Sequence, residues 1–201
     1  MAQENKRTEP IFTQWGDPIM HKPTKSFPRD KIGKPAFKKL IKMMFGDMEN
    51  AGVGLAANQI GLPLKLAVIE VKIYAPELDL NPVPPTVIIN PQIIDYSKNK
   101  VGGWEGCLSC RGVRFWVERS SSIEVRYIDE NNKIIKRIIG GWEAVVFQHE
   151  IDHLNGIVCG ERVAIRDKKV MSGAIISEEW YNEHFNSIPS YSSKPKTKKR
   201  K

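Results

Sequence analysis

Residues 148–153 of this chain are QHEIDH, and this hexapeptide predicts the centre of the fold. His149 and His153 are four residues apart, so on a helix their side chains differ by about 40° in direction and about 6 Å along the axis. Both imidazoles can therefore face one metal ion, and Glu150 stands where it can take a proton from water at that ion. Exposed helices also match so short a pattern by chance, and the rest of the sequence decides between the two interpretations.

Two helices are predicted with well-defined ends. The motif helix covers residues 142–154, after a glycine pair at 140–141 and before the stop signal Asn-Gly at 155–156. The other helix starts at Pro35 and ends before Gly52, because apolar residues recur there at helical spacing. These apolar residues are Phe37, Leu40, Ile41, Met44, Phe45 and Met48. We interpret this stripe as core packing.

Strands are predicted where Val and Ile are enriched or alternate with polar residues. The predicted strands are residues 65–73, 86–94, 123–127 and 133–139. A proline-rich loop at 76–85 separates the first two, and a turn at 129–132 makes the last two a hairpin. A further short helix is expected after Ser177. This order predicts an α+β fold in which antiparallel β-sheets pack around the central metal-binding helix.

Length and composition indicate a single domain over residues 1–193, and the QHEIDH motif makes it the expected catalytic domain. The chain has 201 residues, 41% of them hydrophobic and 27% charged, which is ordinary for a globular protein. No apolar stretch is long enough to span a membrane, and the N-terminus lacks the apolar segment of a secretory signal. A cytoplasmic location is expected, with an organellar one as the alternative. Three cysteines, an odd number, suit a reducing compartment better than a disulfide framework.

The C-terminal tail holds most of the excess charge. Residues 194–201 contain six basic residues and no acidic one, so the rest of the chain keeps only +2 of the net charge of +8. We predict a disordered tail. It is either simply solvated or a tether to RNA or another polyanion, and nothing in it predicts sequence-specific DNA binding.

The third metal ligand is expected upstream of the motif helix, at Cys107. A thiolate is a strong ligand, and Gly106 lets the backbone approach another element closely. His21 and His184 are weaker candidates, because the first is isolated and the second is far from the motif. Cys107 and Cys110 also have the spacing of a redox pair, which the strand-like surroundings disfavour. A structural zinc site made of both cysteines and both motif histidines stays an alternative.

Residues 52–59, GVGLAANQ, form the third segment of interest. Its small residues leave main-chain groups free to bind an extended ligand. A phosphate-binding loop would need a Gly-Lys-Ser/Thr ending or a third glycine that opens a helix, and this segment has neither.

Three segments together resemble the peptide deformylase family. Its motifs Gly-x-Gly-Leu-Ala-Ala-x-Gln, Glu-Gly-Cys-Leu-Ser and Gln-His-Glu-x-Asp-His are intact at residues 52–59, 105–109 and 148–153. The resemblance covers about residues 11–165. It implies a metal-dependent hydrolase that removes the N-formyl group from the N-terminal methionine of newly made polypeptides and releases formate.

The same resemblance implies roles for individual residues. Cys107, His149 and His153 would hold one divalent ion. Fe²⁺ is expected because the family typically uses it, and Zn²⁺, Ni²⁺ or Co²⁺ can substitute. Glu150 would move the proton, and the Gln59 amide with the Leu108 backbone N–H would stabilise the oxyanion. Substrate-binding residues would be Val53, Gly54, Gly106, Arg114, Trp142, Val145 and Val146. Trp142 and the two valines have the alternative of filling core.

Support for the ligands is expected from Glu105, which would pair with Arg119 or Arg114. The chain also departs from the family pattern. Cys110-Arg111 replaces an aliphatic residue and proline, and Phe115-Trp116 is bulkier than usual, so the rim on the substrate side is expected to differ.

Two other functions stay open at this stage. One is a zinc endopeptidase that uses the same helix, although the downstream third ligand of such enzymes is missing. The other is a non-catalytic, metal-stabilised module that binds the ribosome or RNA. The expected partners are N-formylmethionyl peptides and, through the basic tail, the ribosome; no membrane partner is expected.

Overall fold

The structure is a computed structural model that describes residues 11–49, 51–74, 81–163, 165, 166, 169, 170 and 175–177. The described helices are α1 (Pro35–Met48) and α2 (Gly141–Leu154). The described strands are β1 (Gly54–Ala56), β2 (Leu66–Val71), β3 (Val83–Tyr96), β4 (Lys100–Glu105), β5 (Val113–Ser120), β6 (Ser122–Ile128), β7 (Ile134–Gly140), β8 (Ile165–Arg166), β9 (Lys169–Val170) and β10 (Ile175–Ser177). The helix predicted after Ser177 and the candidate His184 lie outside the described residues.

The larger sheet has the strand order β1-β2-β3-β6-β7, and every neighbouring pair is antiparallel. The predicted hairpin is confirmed as β6 and β7, which pair from Ser122 with Gly140 to Ile128 with Ile134. β3 is longer than predicted and starts inside the expected proline-rich loop. Two of its three prolines, Pro84 and Pro85, are exposed and lie near the start of the strand beside a register shift, where a missing N–H does little harm.

A second sheet has the order β10-β5-β4, and β8 and β9 form a separate pair. Neither β4 nor β5 was among the predicted strands. In β4, the glycines Gly102 and Gly103 lower the strand signal. The glycine is required by packing, since a Cβ at Gly102 would lie 2.8 Å from the ring of Trp116. Trp116 and its neighbour Phe115 are buried beside Trp104, so the expectation that they alter the substrate-side rim was wrong.

Helix α2 lies between the sheets and is buried on most sides. Ten of its 14 residues are buried, and Phe147 and Ile151 pack into the same core as Ile88 and Val125 of the larger sheet. Helix α1 packs through Phe37, Met44 and Met48 into a separate core with Leu66 and Val87. The α+β fold with antiparallel sheets around a central helix is thereby confirmed.

The ends of α2 follow the sequence signals. Asn155 is the C-cap residue and Gly156 follows with φ +78°, as the predicted Asn-Gly stop requires. Thr24 donates to the Leu154 carbonyl from both its backbone N–H and its hydroxyl.

Neither described helix has the length and apolar character needed to cross a membrane.

Candidate metal centre

Three potential ligand atoms meet at one point beside α2. His149 and His153 supply Nε2 atoms that are 3.2 Å apart, and the Cys107 Sγ lies 3.2 Å from His153 Nε2. Cys107 arrives from the turn that follows β4. The ligand atoms all lie within 4.8 Å of one another. One thiolate and two imidazoles are a donor set that suits Fe²⁺ or Zn²⁺, and three protein ligands leave a position for water or substrate.

The four-ligand structural zinc site is not formed. Cys110 groups with Cys107 and Cys159, and it does not join the cluster of Cys107 with the two histidines. His21 lies elsewhere, with its ring between the Trp15 carbonyl and Glu161. The candidate centre is thus the three-ligand set.

A buried charge chain holds the ligands from behind. Glu105 is 2.8 Å from His149 Nδ1 and accepts hydrogen bonds from Arg119 Nε at 2.6 Å and Nη2 at 2.9 Å. Arg119 also donates to Asp152 at 2.7 Å. Burial alone would raise the pKa of Glu105, but the adjacent Arg119 outweighs it and lowers that pKa to about 2. The ionised carboxylate orients the His149 ring so that Nε2 is free to bind a metal.

Of the two arginines considered as partners of Glu105, the structure selects Arg119. Arg114 lies beside Gly106 instead, and a Cβ there would be 3.1 Å from Arg114 Nη1. Sequence reasoning missed the part of Asp152 and Arg162, which are joined at 2.7 Å. Their only sequence signal is the acid inside the QHEIDH motif, and its partner cannot be read from spacing.

The Cys107 sulfur has the environment of a thiolate. Hydrogen bonds from the thiols of Cys110 and Cys159, helped by nearby His153, hold the pKa of Cys107 well below its usual range. The Ser109 backbone N–H donates to the same sulfur at 3.4 Å. Thiolates bind metals and thiols do not, so these donors prepare Cys107 as a ligand.

Glu150 is buried beside the ligands, and burial raises the pKa of its carboxyl. Among the described residues, none forms a hydrogen bond with its Oε2. A Cβ at Gly54 would collide with this carboxyl, so the glycine of β1 leaves the space that Glu150 occupies. A buried carboxyl with a raised pKa and a free oxygen can accept a proton and return it.

Gln59 lies in a short 3-10 helix (Ala57–Ile60) against the Cys107 turn. Its Oε1 accepts from the Ala56 backbone N–H at 2.8 Å, which leaves the amide NH₂ pointing to Ser109 Oγ at 3.2 Å and Cys107 Sγ at 3.6 Å. The neighbouring Asn58 donates to the His153 carbonyl at 2.7 Å and ties this helix to α2. Sequence reasoning assigned no part to Asn58 or Ser109.

A cavity of about 580 Å³ opens in front of the ligands. It is lined by Gln59, Cys107, Leu108, His149 and Glu150, and by all the residues predicted to bind substrate: Val53, Gly54, Gly106, Arg114, Trp142, Val145 and Val146. Val145 and Val146 are also buried, and Val146 belongs to the core of the larger sheet. They therefore fill core and form the wall together. Arg111, a departure from the family pattern, lies at this cavity as well.

Comparisons with known proteins agree with this geometry. A family model described as "Polypeptide deformylase" matches residues 10–169. The chain is 41% identical to a peptide deformylase of Leptospira biflexa over 150 residues, which are 74% of this chain and 84% of the relative. It is 39% identical to the chloroplastic peptide deformylase 1A of Solanum lycopersicum over 83% of this chain, and it spans 64% of that longer protein.

Solved structures show the same likeness. A class I type b peptide deformylase from Acinetobacter baumannii with Met-Ala-Ser bound superposes with a TM-score of 0.72 at 28% identity, covering 76% of this chain and 96% of that one. A peptide deformylase from Synechococcus elongatus in complex with actinonin gives a TM-score of 0.69 at 34% identity, covering 84% and 86%. Both the fold and the sequence around the candidate centre are thus similar to proteins of one family.

Proposed function

The chain belongs to the peptide deformylase family, and we propose that it catalyses the reaction of that family: it removes the N-formyl group from the N-terminal methionine of newly made polypeptides and releases formate. The observation that carries this proposal is the convergence of one sulfur and two imidazole nitrogens within 4.8 Å, at the wall of an open cavity.

Cys107, His149 and His153 hold one divalent ion in the proposed enzyme, with Fe²⁺ expected from the family and Zn²⁺, Ni²⁺ or Co²⁺ as substitutes. When bound there, the ion would supply Lewis acidity, which polarises the formyl carbonyl. It would also lower the pKa of water, so that hydroxide is available as a nucleophile near neutral pH. Glu105 and Arg119 keep the His149 ring in place for this ion.

Glu150 moves the proton during the reaction. Water adds to the formyl carbon while the Glu150 carboxylate accepts one of its protons, and the same proton passes to the amine nitrogen as the C–N bond breaks. The Gln59 amide and the Leu108 backbone N–H stabilise the negative charge that develops on the formyl oxygen. The position of Gln59 beside the Cys107 sulfur supports this assignment.

The substrate lies along the cavity as an extended strand. Main-chain groups of Val53, Gly54 and Gly106 align it, and Arg114 lies at the same cavity. The methionine side chain packs against Val145, Val146 and Trp142. The Acinetobacter baumannii relative was solved with Met-Ala-Ser bound, and this supports a pocket for an N-terminal methionine in the present chain.

The substitution Glu150→Gln tests the mechanism. Turnover of a formyl-Met peptide should fall by about 100-fold or more, because general acid–base catalysis contributes roughly 10²–10⁴. One metal ion per chain should stay bound, because Glu150 is not a ligand. Glu143→Gln is the matched control, since it changes a glutamate at the other end of α2 that pairs with Arg137 at the surface.

Three results would argue against the proposal. Full turnover by Glu150→Gln would remove the role of Glu150. Cleavage of internal peptide bonds by the wild-type protein would favour the zinc endopeptidase, and absence of any turnover after anaerobic Fe²⁺ loading would favour the non-catalytic module that binds the ribosome or RNA.

The basic tail, residues 194–201, is proposed to bring the enzyme to the ribosome, where formylated chains emerge. Its six basic residues favour phosphate contacts. Deleting the tail should abolish salt-sensitive co-sedimentation with ribosomes and leave turnover of short peptides unchanged. A tail of equal length with Gln in place of Lys and Arg should behave like the deletion, and unchanged co-sedimentation of either variant would contradict the tether.

Domain extent and location are also proposals. We propose one catalytic domain over residues 1–193 and a cytoplasmic enzyme, with an organellar location as the alternative. The relatives include both bacterial and chloroplastic proteins.

A further inference from the structure

Three sulfur atoms meet beside the metal centre. The Sγ atoms of Cys107, Cys110 and Cys159 lie within 4.8 Å of one another, and all three residues are free thiols. Cys107 and Cys110 share a turn in which the Cys110 N–H donates to the Cys107 carbonyl at 2.9 Å. Cys159 comes from a different element, the short 3-10 helix Cys159–Arg162 after α2. Folding therefore assembles this cluster from separate parts of the chain.

The spacing of the sulfurs is close to that of a metal–thiolate site. A metal–sulfur bond is about 2.3 Å long, so sulfurs that share one ion are about 4 Å apart. Movements of less than about 1 Å would thus place all three around an ion. Cys107 and Cys110 also line the cavity, which gives an ion a route to the cluster. Simple core packing would account for burial of Cys110 and Cys159 but not for convergence on a third, ligand-type sulfur.

The donor set determines which ion fits. Three thiolates without nitrogen or oxygen donors favour soft cations, whereas the set at His149 and His153 suits the divalent ions of the hydrolase. Cys107 belongs to both sets. Two cations bound to the same Cys107 sulfur would also repel each other.

We propose that Cys107, Cys110 and Cys159 form a second, all-sulfur site that binds a soft thiophilic cation such as Cu⁺, and that Cu⁺ at this site displaces the divalent ion by taking the shared Cys107. Binding replaces the thiol protons, which pass to solvent. The inhibition that follows rests on the proposed deformylase activity, but the binding itself does not.

A crossed pair of variants tests the site. Cu⁺ affinity is measured without air against a coloured Cu⁺ chelator, and Co²⁺ affinity is measured from its visible spectrum. The double variant Cys110→Ser, Cys159→Ser should bind Cu⁺ at least about 100-fold more weakly. Losing two direct ligands should cost more than the roughly 10–100-fold loss of metal affinity that follows removal of a residue hydrogen-bonded to a ligand. The double variant should still bind Co²⁺. His149→Ala should weaken Co²⁺ binding and leave Cu⁺ affinity unchanged. Unchanged Cu⁺ affinity in the double variant would overturn the proposal.

Two measurements on the wild-type protein need no variant. X-ray absorption of the Cu⁺ form should show sulfur ligands alone, and a nitrogen ligand would overturn the proposal. Adding one equivalent of Cu⁺ to the Co²⁺ form should release the Co²⁺, and a protein that keeps both ions would equally overturn it. Absence of deformylase activity in the Co²⁺ form alongside the expected Cu⁺ results would count against the proposed function and leave this site standing.

Discussion

At the scale of the residue, Arg119 links the metal ligands to the rest of the fold. It is 5% exposed and lies between the carboxylates of Glu105 and Asp152. Glu105 passes this constraint to the His149 ring. The planar guanidinium donates to both carboxylates in one fixed geometry, which a flexible lysine would not reproduce. The orientation of His149, a proposed metal ligand, thus depends on Arg119, which is not itself in the candidate ligand set.

We expect Arg119→Met to lower the free energy of unfolding of the metal-free protein by about 3–5 kcal/mol. The substitution leaves buried Glu105 without its arginine partner and removes one of the two arginines that bind Asp152. Urea unfolding measures the loss. Arg137→Met is the control: its ion pair with Glu143 is partly exposed, so its removal should cost less than about 1 kcal/mol. Equal losses in both variants would contradict the importance of the buried chain.

At the scale of the element, α2 is fixed along its length by side chains from other segments. Gln148, inside the motif, exchanges hydrogen bonds with the Ser120 backbone at 3.1 and 2.9 Å, where β5 ends. Asn58 binds the His153 carbonyl from another side. These bonds prevent α2 from rotating about its axis, and rotation would separate the two imidazoles from Cys107. Besides its proposed ligands, the hexapeptide therefore supplies two groups that make structural hydrogen bonds, the Gln148 side chain and the His153 carbonyl.

The stop of α2 gives a prediction at this scale. Gly156 and Gly61 both have φ +78°, but a Cβ at Gly156 would lie 2.7 Å from the Lys22 backbone, whereas nothing lies within 4 Å at Gly61. Gly61→Ala should lower the free energy of unfolding by about 1–2 kcal/mol, the strain of the left-handed conformation. Gly156→Ala should lose clearly more, because backbone must also move. Equal losses in urea unfolding would show that the contact with Lys22 is readily relieved.

At the scale of the whole molecule, the candidate metal centre lies where three distant segments of the chain meet. The Cys107 turn extends from the smaller sheet, Gln59 follows the edge strand β1 of the larger sheet, and the histidines belong to the helix between the two sheets. An ion held by Cys107 and α2 would cross-link these parts in the folded state alone. We therefore expect metal binding to stabilise the folded state.

Metal removal should measure this coupling. Zn²⁺ at about 100 times its dissociation constant should raise the free energy of unfolding by about 2.7 kcal/mol, and a chelator should remove the gain. His153→Ala serves as the control, and its urea midpoint should not respond to Zn²⁺. A similar response in this variant would mean that the stabilising ion binds elsewhere.

Local features of the sequence determined much of the fold. The apolar stripe predicted α1, the alternation and turn at 123–139 predicted the β6–β7 hairpin, and the Asn-Gly stop predicted the end of α2. Such signals are local because helix periodicity, strand alternation and turn chemistry each involve neighbouring residues. The kinds of ligand were equally visible, since thiols and imidazoles are few in this chain.

Only the tertiary structure decided which of these groups meet. Glu105 takes Arg119 and not Arg114, Asp152 completes the buried charge chain, and Cys159 joins Cys107 across 52 residues of sequence. Strands β4 and β5 were also recognised only in the structure, where the Trp116 ring of β5 packs against Gly102 of β4. The physical reason is common to all of them. The chemistry of a side chain determines what it can bind. Which distant residues pair depends on how the sheets and the helix pack to bury their apolar surfaces.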